Sequence, residues 1–340
     1  MPGSDVEEGK EDAKPLITVI VPVYNEQDNV KRAYERITKT FGTIADRYRL
    51  ELLFSDNHST DRTFELLAEL AVRDDRVRVI RLARNFGFQK SVLTAYRCAS
   101  GAAAVQIDCD LQDPPEIILE FLPLWEKGHD VVVGIRRQRI EHPLLHFSRK
   151  LFYRFIRRIS DDQLIDDAGD FRLVDRSVIE RLKRVGDAHP YTRGLISVLA
   201  ARQTGVPYDR ETRLYGESKF PVRRLFGLAM DGIVSHSLVP LRLATYVGIM
   251  TFLAAMAASL FFFVSYLVQG DTWPAGFATV TLLLLGSVSV YSILIGILGE
   301  YVGRIYQEVR RRPLTLIESS INLDVPQDVL WGEPQERKAG

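Results

Sequence analysis

The residues best suited to chemistry are Asp108-Cys109-Asp110-Leu111-Gln112, which follow the largely apolar run Ala102 to Ile107 and precede Asp113-Pro114-Pro115-Glu116. Mg2+ or Mn2+ takes hard oxygen ligands and keeps positions open for phosphate oxygens, so a few carboxylates beside a nucleotide diphosphate suffice. Two carboxylates and an amide at alternate positions meet that demand. A competing reading makes Asp108 and Asp110 solvated turn residues, with Asp113 as helix N-cap, Pro114 at N1 and Glu116 completing a capping-box-like pair. It accounts for Asp113 and Glu116 but not for Asp108, which sits at the mouth of a buried strand and needs a partner. A calcium loop starting at Asp108 would want Gly at its sixth position and Glu at its twelfth, where the chain has Asp113 and Leu119. Cys109, by strand alternation, points away from the aspartates into the core and is inert.

The elements that must position these residues follow from hydrophobic periodicity. Ile17 to Val21, Leu50 to Phe54, Val77 to Leu82, Ala103 to Ile107 and Val131 to Ile135 are predicted strands. Between them Val30, Ala33, Tyr34, Ile37 and Phe41 keep helical spacing, as do Phe64, Leu67, Ala68 and Ala71. Such alternation predicts an α/β domain with a mostly parallel sheet covered on both faces, whose ligands bind outside the carboxyl ends of the strands. Three polar clusters fall at strand carboxyl ends: Pro22-Val23-Tyr24-Asn25-Glu26, Ser55-Asp56-Asn57, and Asp108 to Gln112. Together they outline a nucleotide crevice. Ser59, Thr60 or Asp61 caps the next helix. The glycine-rich dinucleotide fingerprint, the Walker loop, the Gly-x-Ser-x-Gly elbow and the paired-Cys zinc pattern are absent.

The 340 residues carry 44 basic and 44 acidic side chains, a balance that argues against nucleic-acid binding by bulk electrostatics. No charged residue occurs between Arg242 and Asp271, or between Asp271 and Glu300, and each stretch exceeds the roughly 20 apolar residues that span a bilayer. Two transmembrane helices are predicted, joined by Gln269 to Ala275. Arg223, Arg224 and Arg242 precede the first, and Arg304 and Arg310-Arg311-Arg312 follow the second. The connection has no Lys or Arg, so both termini are expected on the cytoplasmic side of the inner membrane. The polar first fourteen residues lack an apolar signal core. Cys98 and Cys109 are the only cysteines, which fits a reducing compartment. The Asn57-His58-Ser59 sequon is irrelevant there. The expected organisation is a polar tail (1–14), an α/β domain (15–225), a juxtamembrane amphipathic helix (226–242), two spans (243–299) and a cytoplasmic tail (300–340).

In Pro22 to Glu26, Asp56 with Ser59 and Asp61, Arg84-Asn85-Phe86-Gly87, Asp108 to Glu116, Gly169-Asp170-Phe171-Arg172-Leu173, Gly216-Glu217-Ser218-Lys219-Phe220 and the terminal hairpin, the chain resembles the inverting family-2 glycosyltransferases of GT-A fold. Within that family it is similar to the polyprenyl-phosphate enzymes, more to bactoprenol glucosyltransferases than to dolichol-phosphate mannose synthases. The resemblance runs in order from about Pro15 to Arg312. It implies that Pro22, Tyr24, Glu26 and Asp56 hold the nucleoside and that Asp108 also contributes there. It implies that Asp108, Asp110 and Gln112 hold a divalent metal and the diphosphate, and that the donor is a nucleotide sugar. Asp170, with Asp110, falls at a catalytic position. Two departures stand out: Ser55-Asp56 replaces the common Asp-Asp pair, and Phe88-Gln89-Lys90 follows Gly87 where relatives vary.

The acceptor implied is a lipid monophosphate, whose second ionisation near pH 6 makes it largely its own nucleophile. Asp170 then orients sugar or acceptor, with proton removal a lesser role and Asp167 a weaker candidate; a structural ion pair between Asp170 and Arg172 is the competing reading. A phosphate on an apolar chain needs cations beside membrane. Leu144, Leu145, Phe147, Leu151, Phe152, Phe155, Ile156 and Ile159 make one helical face, and Arg149, Lys150, Arg154, Arg157 and Arg158 crowd the other, a pattern suited to an anionic leaflet or to an ordinary helix with a solvated basic face. Arg136 and Arg137 are placed for phosphate contact, and Arg213 and Lys219 flank a Gly216-Glu217-Ser218 turn that could close over the acceptor. Phe226 to Ser237 reads as a second interfacial helix, while His58 and His189 read as local structure. Glucose from UDP-glucose is the leading donor, with mannosyl transfer from GDP-mannose or amino-arabinose transfer as alternatives. A homo-oligomer is compatible with this organisation. A processive synthase lacks its Gln-x-x-Arg-Trp motif here, and a non-catalytic nucleotide-sugar-binding membrane protein would need no acceptor cations.

Overall fold

A computed structural model describes residues 14–137, 168–187, 190–211, 313–325 and, with gaps before 276, residues 244–309. The sheet, its covering helices and residues 313–325 form one compact unit, and the helical residues between 244 and 309 form another. The sheet has eight strands: β1 (Leu16–Val23), β2 (Arg49–Asp56), β3 (Val77–Leu82), β4 (Ala103–Gln106), β5 (Val131–Arg136), β6 (Ala168–Asp175), β7 (Gln203–Tyr208) and β8 (Ile317–Ile321). Their order is β7-β5-β6-β4-β1-β2-β3-β8. Strands β3, β2, β1 and β4 run parallel, β6 lies antiparallel between β4 and β5, β7 is parallel to β5, and β8 is antiparallel to β3.

The predicted α/β class and all five predicted strands are present. The physical cause is visible in β1 and β2, where every residue after the first is buried. Ile17, Val19 and Val21 of β1 join one core and Ile20 the other, as strand alternation requires. Helices α1 (Val30–Gly42), α2 (Thr63–Arg73) and α4 (Ile118–Glu126) close the first core through Val30, Ile37, Leu67 and Phe121. Helices α3 (Phe88–Cys98), α5 (Arg176–Lys183) and α6 (Thr192–Leu199) close the second through Leu93, Tyr96, Ile179 and Ile196. Each fully buried Leu, Ile or Phe contributes about 1.5–3 kcal/mol from area removed from water.

Strands β6, β7 and β8 lie outside the sequence prediction, for readable reasons. Strand β6 carries a buried arginine, Arg172, in the middle of its apolar run. Strand β7 contains Gly205 and Pro207, and β8 is an edge strand whose centre is Ser319-Ser320. At Gly134 of β5 an added Cβ would sit 2.7 Å from the Tyr208 ring, so glycine there admits the Tyr208 side chain. Tyr208 then packs edge-on against Phe171, which in turn meets Phe121.

In the second unit, α7 (Phe277–Val309) has 33 residues, a length of about 50 Å at 1.5 Å per residue. Within it Gly286–Gly303 is long and apolar enough to cross a membrane, the single such helix among the described residues. Leu284, Val288, Tyr291, Ile295 and Leu298 are exposed along it. The helix runs on past Glu300, where the uncharged stretch ends, to Val309. Helical residues also recur between 244 and 268, in the first predicted span. The connection at 269–275, the 144–159 helix, Phe226 to Ser237, Asp167, His189, Arg213, Lys219 and the Gly216 turn lie outside the described residues.

Candidate active site

Register explains why distant residues meet. The carboxyl ends of β1, β2, β4, β5 and β7 share one sheet edge, and antiparallel β6 brings its amino end there, with Gln106 opposite Arg172 and Ile135 opposite Ala168. Asp56, Asp108, Asp170, Arg136 and Tyr208 are therefore brought to the same edge.

At the β1 and β2 ends, two turns are tied together. The Asn25 N–H donates to Ser59 Oγ at 3.0 Å, the Glu26 N–H to Thr63 Oγ1 at 2.8 Å, and the Thr60 N–H to Asn25 Oδ1 at 2.8 Å. Asn25 takes a left-handed φ of 55°, which an asparagine tolerates, and Tyr24 just before it is 39% exposed. The residue at the N-cap of α2 is Arg62 and not Ser59, Thr60 or Asp61, although Asp61 Oδ1, one residue earlier, accepts the Thr63 N–H at 3.0 Å. Asp56 is fully buried. Its Oδ1 accepts from the Ser59 N–H at 2.9 Å and from Ser59 Oγ at 2.5 Å, whereas its buried Oδ2 has no hydrogen-bond partner. Burial raises its pKa, against the lowering pull of Ser59, Arg81 and His58. Pro22 is buried in β1, beyond Ile20, the last β1 residue in the β4 ladder, so its missing N–H costs no bond on that side.

The acidic loop follows β4. Leu111 has φ 55°, and the Gln112 N–H donates to Asp110 Oδ1 at 3.1 Å, turning the chain so that Asp108 and Asp110 remain on the site side while Cys109 and Leu111 enter the core. Burial, then the charges of Asp170, Asp113 and Asp110, push Asp108 up to about 7, opposed by Arg136. Burial likewise pushes the Cys109 thiol well up, in keeping with an inert core residue.

Asp113 is not the helix cap that the Asp-Pro-Pro-Glu pattern suggests. It is 1% exposed and accepts from Tyr208 Oη at 2.6 Å, Arg210 Nε at 3.2 Å and Arg136 Nη2 at 3.3 Å. The short helical turn Pro115–Ile117 starts without a side-chain cap. Glu116 instead pairs with Arg36, which also holds Glu211, and the Glu211 N–H donates to the Gln112 carbonyl. Arg136, expected at the acceptor phosphate, is thus fixed by Asp113 and Tyr208 and lies over Gly169, where an added Cβ would be 3.1 Å from its guanidinium. Arg137 pairs with Asp209 at the exposed rim and does not join this group.

Asp170 is held by Arg193, with Nε to Oδ1 and Nη2 to Oδ2 each at 2.6 Å, a bidentate pair across 23 residues. The predicted alternative, a pair with Arg172, is replaced by this one: Arg172 is buried and donates to the Gly169 carbonyl at 2.8 Å. Burial raises the Asp170 pKa, but the Arg193 hydrogen bonds and charge, with Arg172 and Arg136, outweigh it and leave the carboxyl below its ordinary range. Arg193, Tyr208, Arg210 and Arg36 are the residues sequence reasoning missed. No local spacing marks them, because each meets its partner only after the sheet has formed.

Among the described residues no three His, Cys, Asp or Glu side chains form a ready-made metal cage. The donor chemistry nevertheless fits a divalent cation. Asp108 and Asp110 offer hard oxygen ligands, burial and then the neighbouring carboxylates raise the Asp108 pKa so that a cation would stabilise its charged form, and a cation of this class completes its shell from phosphates and water. Gln112 stands beside them with its backbone N–H on Asp110.

Comparison with known proteins places the chain in a family. The family described as Glycosyl transferase family 2 matches residues 18–183. The chain is 37% identical to the uncharacterized glycosyltransferase YkcC of Bacillus subtilis over 90% of this chain and 94% of that protein. It is 34% identical to the bactoprenol glucosyl transferase of Shigella phage SfII over 89% of this chain and 98% of that protein. Among solved structures, glucosyl-3-phosphoglycerate synthase from Mycobacterium tuberculosis, crystallised with Mn2+, UDP and phosphoglyceric acid, matches 69% of this chain and 82% of its own, with a TM-score of 0.45 and 19% identity. That last likeness is too distant for its ligands to bear on this chain.

Proposed function

The chain belongs to glycosyl transferase family 2, and from that premise we propose that it transfers a hexose, with inversion, from a nucleotide diphosphate sugar to polyprenyl phosphate at the cytoplasmic face of a membrane. UDP-glucose is the leading donor. The observation that carries the acceptor class is the state of Asp170. A carboxylate gripped by Arg193 and held below its ordinary pKa is a poor proton acceptor, so it suits a nucleophile that arrives already ionised. A phosphate monoester is such a nucleophile. One of its oxygens attacks the anomeric carbon, the new C–O bond forms as the bond to the nucleoside diphosphate breaks, and no proton has to be removed.

In this reading Tyr24, Glu26, Pro22 and Asp56 line the nucleoside end. Asp108 and Asp110, with Gln112, would hold a Mg2+ or Mn2+ ion, which would supply positive charge to the departing diphosphate. Asp170 and Arg136 face the reacting sugar and the acceptor phosphate, and alignment supplies most of the rate. Arg137, Arg213 and Lys219 are assigned to the acceptor rim. The second span, the 144–159 helix and the cytoplasmic placement of both termini complete the proposal; the apolar length of α7 supports the anchor.

The test is incubation of the purified chain with labelled UDP-glucose, Mg2+ and short polyprenyl phosphate. Label in the lipid phase is expected, and Asp110→Asn should abolish it. Transfer only from GDP-mannose or an amino-arabinose donor would move the donor assignment, and no lipid-linked label from any common nucleotide sugar would sink the enzyme reading. A reporter at Asp271 found in the cytoplasm would contradict the topology.

A further inference from the structure

We propose that Glu318, on strand β8, is a positioning residue for the nucleotide site: by sharing Arg81 with Asp56 it leaves one oxygen of the Asp56 carboxylate without a protein donor, as the acceptor for a nucleoside N–H. The inference rests on the nucleotide-sugar reading above and adds to it a part of the chain that lies beyond the long apolar helix in sequence.

Strand β8 is built into the sheet. It pairs antiparallel with β3, the Ala83 N–H donates to the Leu316 carbonyl at 2.8 Å, and the buried hydroxyls of Thr315 and Thr94 meet at 2.7 Å. Asn322 closes the far end, its Nδ2 donating to the carbonyls of Ala71 and Val77. The ladder is irregular at one point: Arg81 faces Ser319 and Leu82 faces Ile317, so Glu318 has no opposite residue. A bulge of this kind re-aims a side chain. Glu318 Oε2 lies 3.3 Å from Arg81 Nε and 3.6 Å from His58 Nδ1.

Arg81 stands between two carboxylates. Its Nε is 3.7 Å from Asp56 Oδ2, its Nη2 reaches the Ser59 carbonyl at 3.5 Å, and its guanidinium lies 4.4 Å over the Phe64 ring. Neither Arg81 Nε nor Asp56 Oδ2 completes a hydrogen bond, although both atoms are buried. A buried Arg–Asp pair would gain by closing the last ~0.8 Å to ordinary hydrogen-bond length. Glu318 Oε2, nearer to the same Nε at 3.3 Å, competes with Asp56 for its single N–H, and stacking on Phe64 fixes the guanidinium plane. The outcome is a buried carboxylate oxygen, at the end of β2, with its acceptor capacity unspent.

The experiment is calorimetric titration of the purified full chain with UDP and with GDP, for the unaltered protein, Glu318→Gln, Arg81→Gln and the double variant. Glu318→Gln keeps shape and removes charge, so Arg81 should close on Asp56 and nucleotide affinity should fall about tenfold, the worth of one hydrogen bond to a charged group. Removing Arg81 in the Glu318→Gln background should restore affinity, which a merely structural role for Glu318 would not do; that role predicts two losses that add. Equal affinity in the unaltered chain and Glu318→Gln, or no recovery in the double variant, would overturn the inference while leaving nucleotide binding intact. Absence of binding by the unaltered chain to either nucleotide would overturn the nucleotide reading and this inference with it.

Discussion

Replacing Asp113 by Asn separates two roles for the same residue. A helix cap tolerates the change, because Asn and Asp cap about equally well and the cost stays within a few tenths of a kcal/mol. The buried hub does not. Asp113 is 1% exposed and accepts from Tyr208, Arg210 and Arg136, so the amide loses charge at a site with two guanidinium groups and turns an N–H toward one of the donors. Hydrogen bonds to a charged group are worth about 1.5–3 kcal/mol, and the Tyr208 hydroxyl left without an acceptor adds to the loss. Arg136 and Arg210 retain 32% and 33% side-chain exposure, so water recovers part of theirs. The expected net is about 2 kcal/mol, or roughly 4–8 °C in Tm for a domain of this size. Thermal unfolding of the purified chain followed by near-UV circular dichroism measures it. Asp113→Asn melting within a degree of the unaltered protein, with Asp113→Ala about 1 kcal/mol less stable, would be the signature of a cap and would refute the hub.

Three further outcomes are expected. Arg193→Ala releases Asp170, whose folded pKa is depressed, so its carboxyl should titrate at higher pH; the acid limb of the kcat profile should move up and kcat fall about a hundredfold from misalignment, while an unchanged profile would count against Arg193. Asp74, drawn down to about 2 first by the Arg76 hydrogen bonds, is a carboxylate with a depressed folded pKa; its stabilisation is present above about pH 4 and lost as pH falls toward 2. Asp74→Asn should flatten that part of the stability–pH curve by about 1–2 kcal/mol, measured by urea unfolding at each pH. Mn2+ should raise Tm by an amount that grows as pH rises through about 7, because Asp108 must lose its proton to bind the ion; a shift independent of pH, or one kept by Asp108→Asn, would place the cation elsewhere.

The amino-acid sequence determined the α/β layout of β1 to β5 and α1 and α2, because a strand buried on both faces and a helix with one apolar face leave their period in the residues themselves. It also determined that Asp56, Asp108 and Asp110 lie at strand ends, since position in a doubly wound sheet follows from element order. Family likeness added Asp170. Partner choice was not legible. Asp113 reads locally as a cap, but 95 residues away Tyr208 arrives beside it only because β7 pairs parallel to β5 and Gly134 leaves room for its ring. Asp170 reads locally as a mate for Arg172, two residues on along β6, but Arg172 spends its donor on the Gly169 carbonyl and Arg193 reaches Asp170 from the first turn of α6. Strand β8 carried no signal at all, since a short polar edge strand gains its place from the neighbour it pairs with and not from its own pattern. Periodicity is a property of one element, whereas a charge buried in a site is satisfied by whichever element the tertiary structure brings beside it.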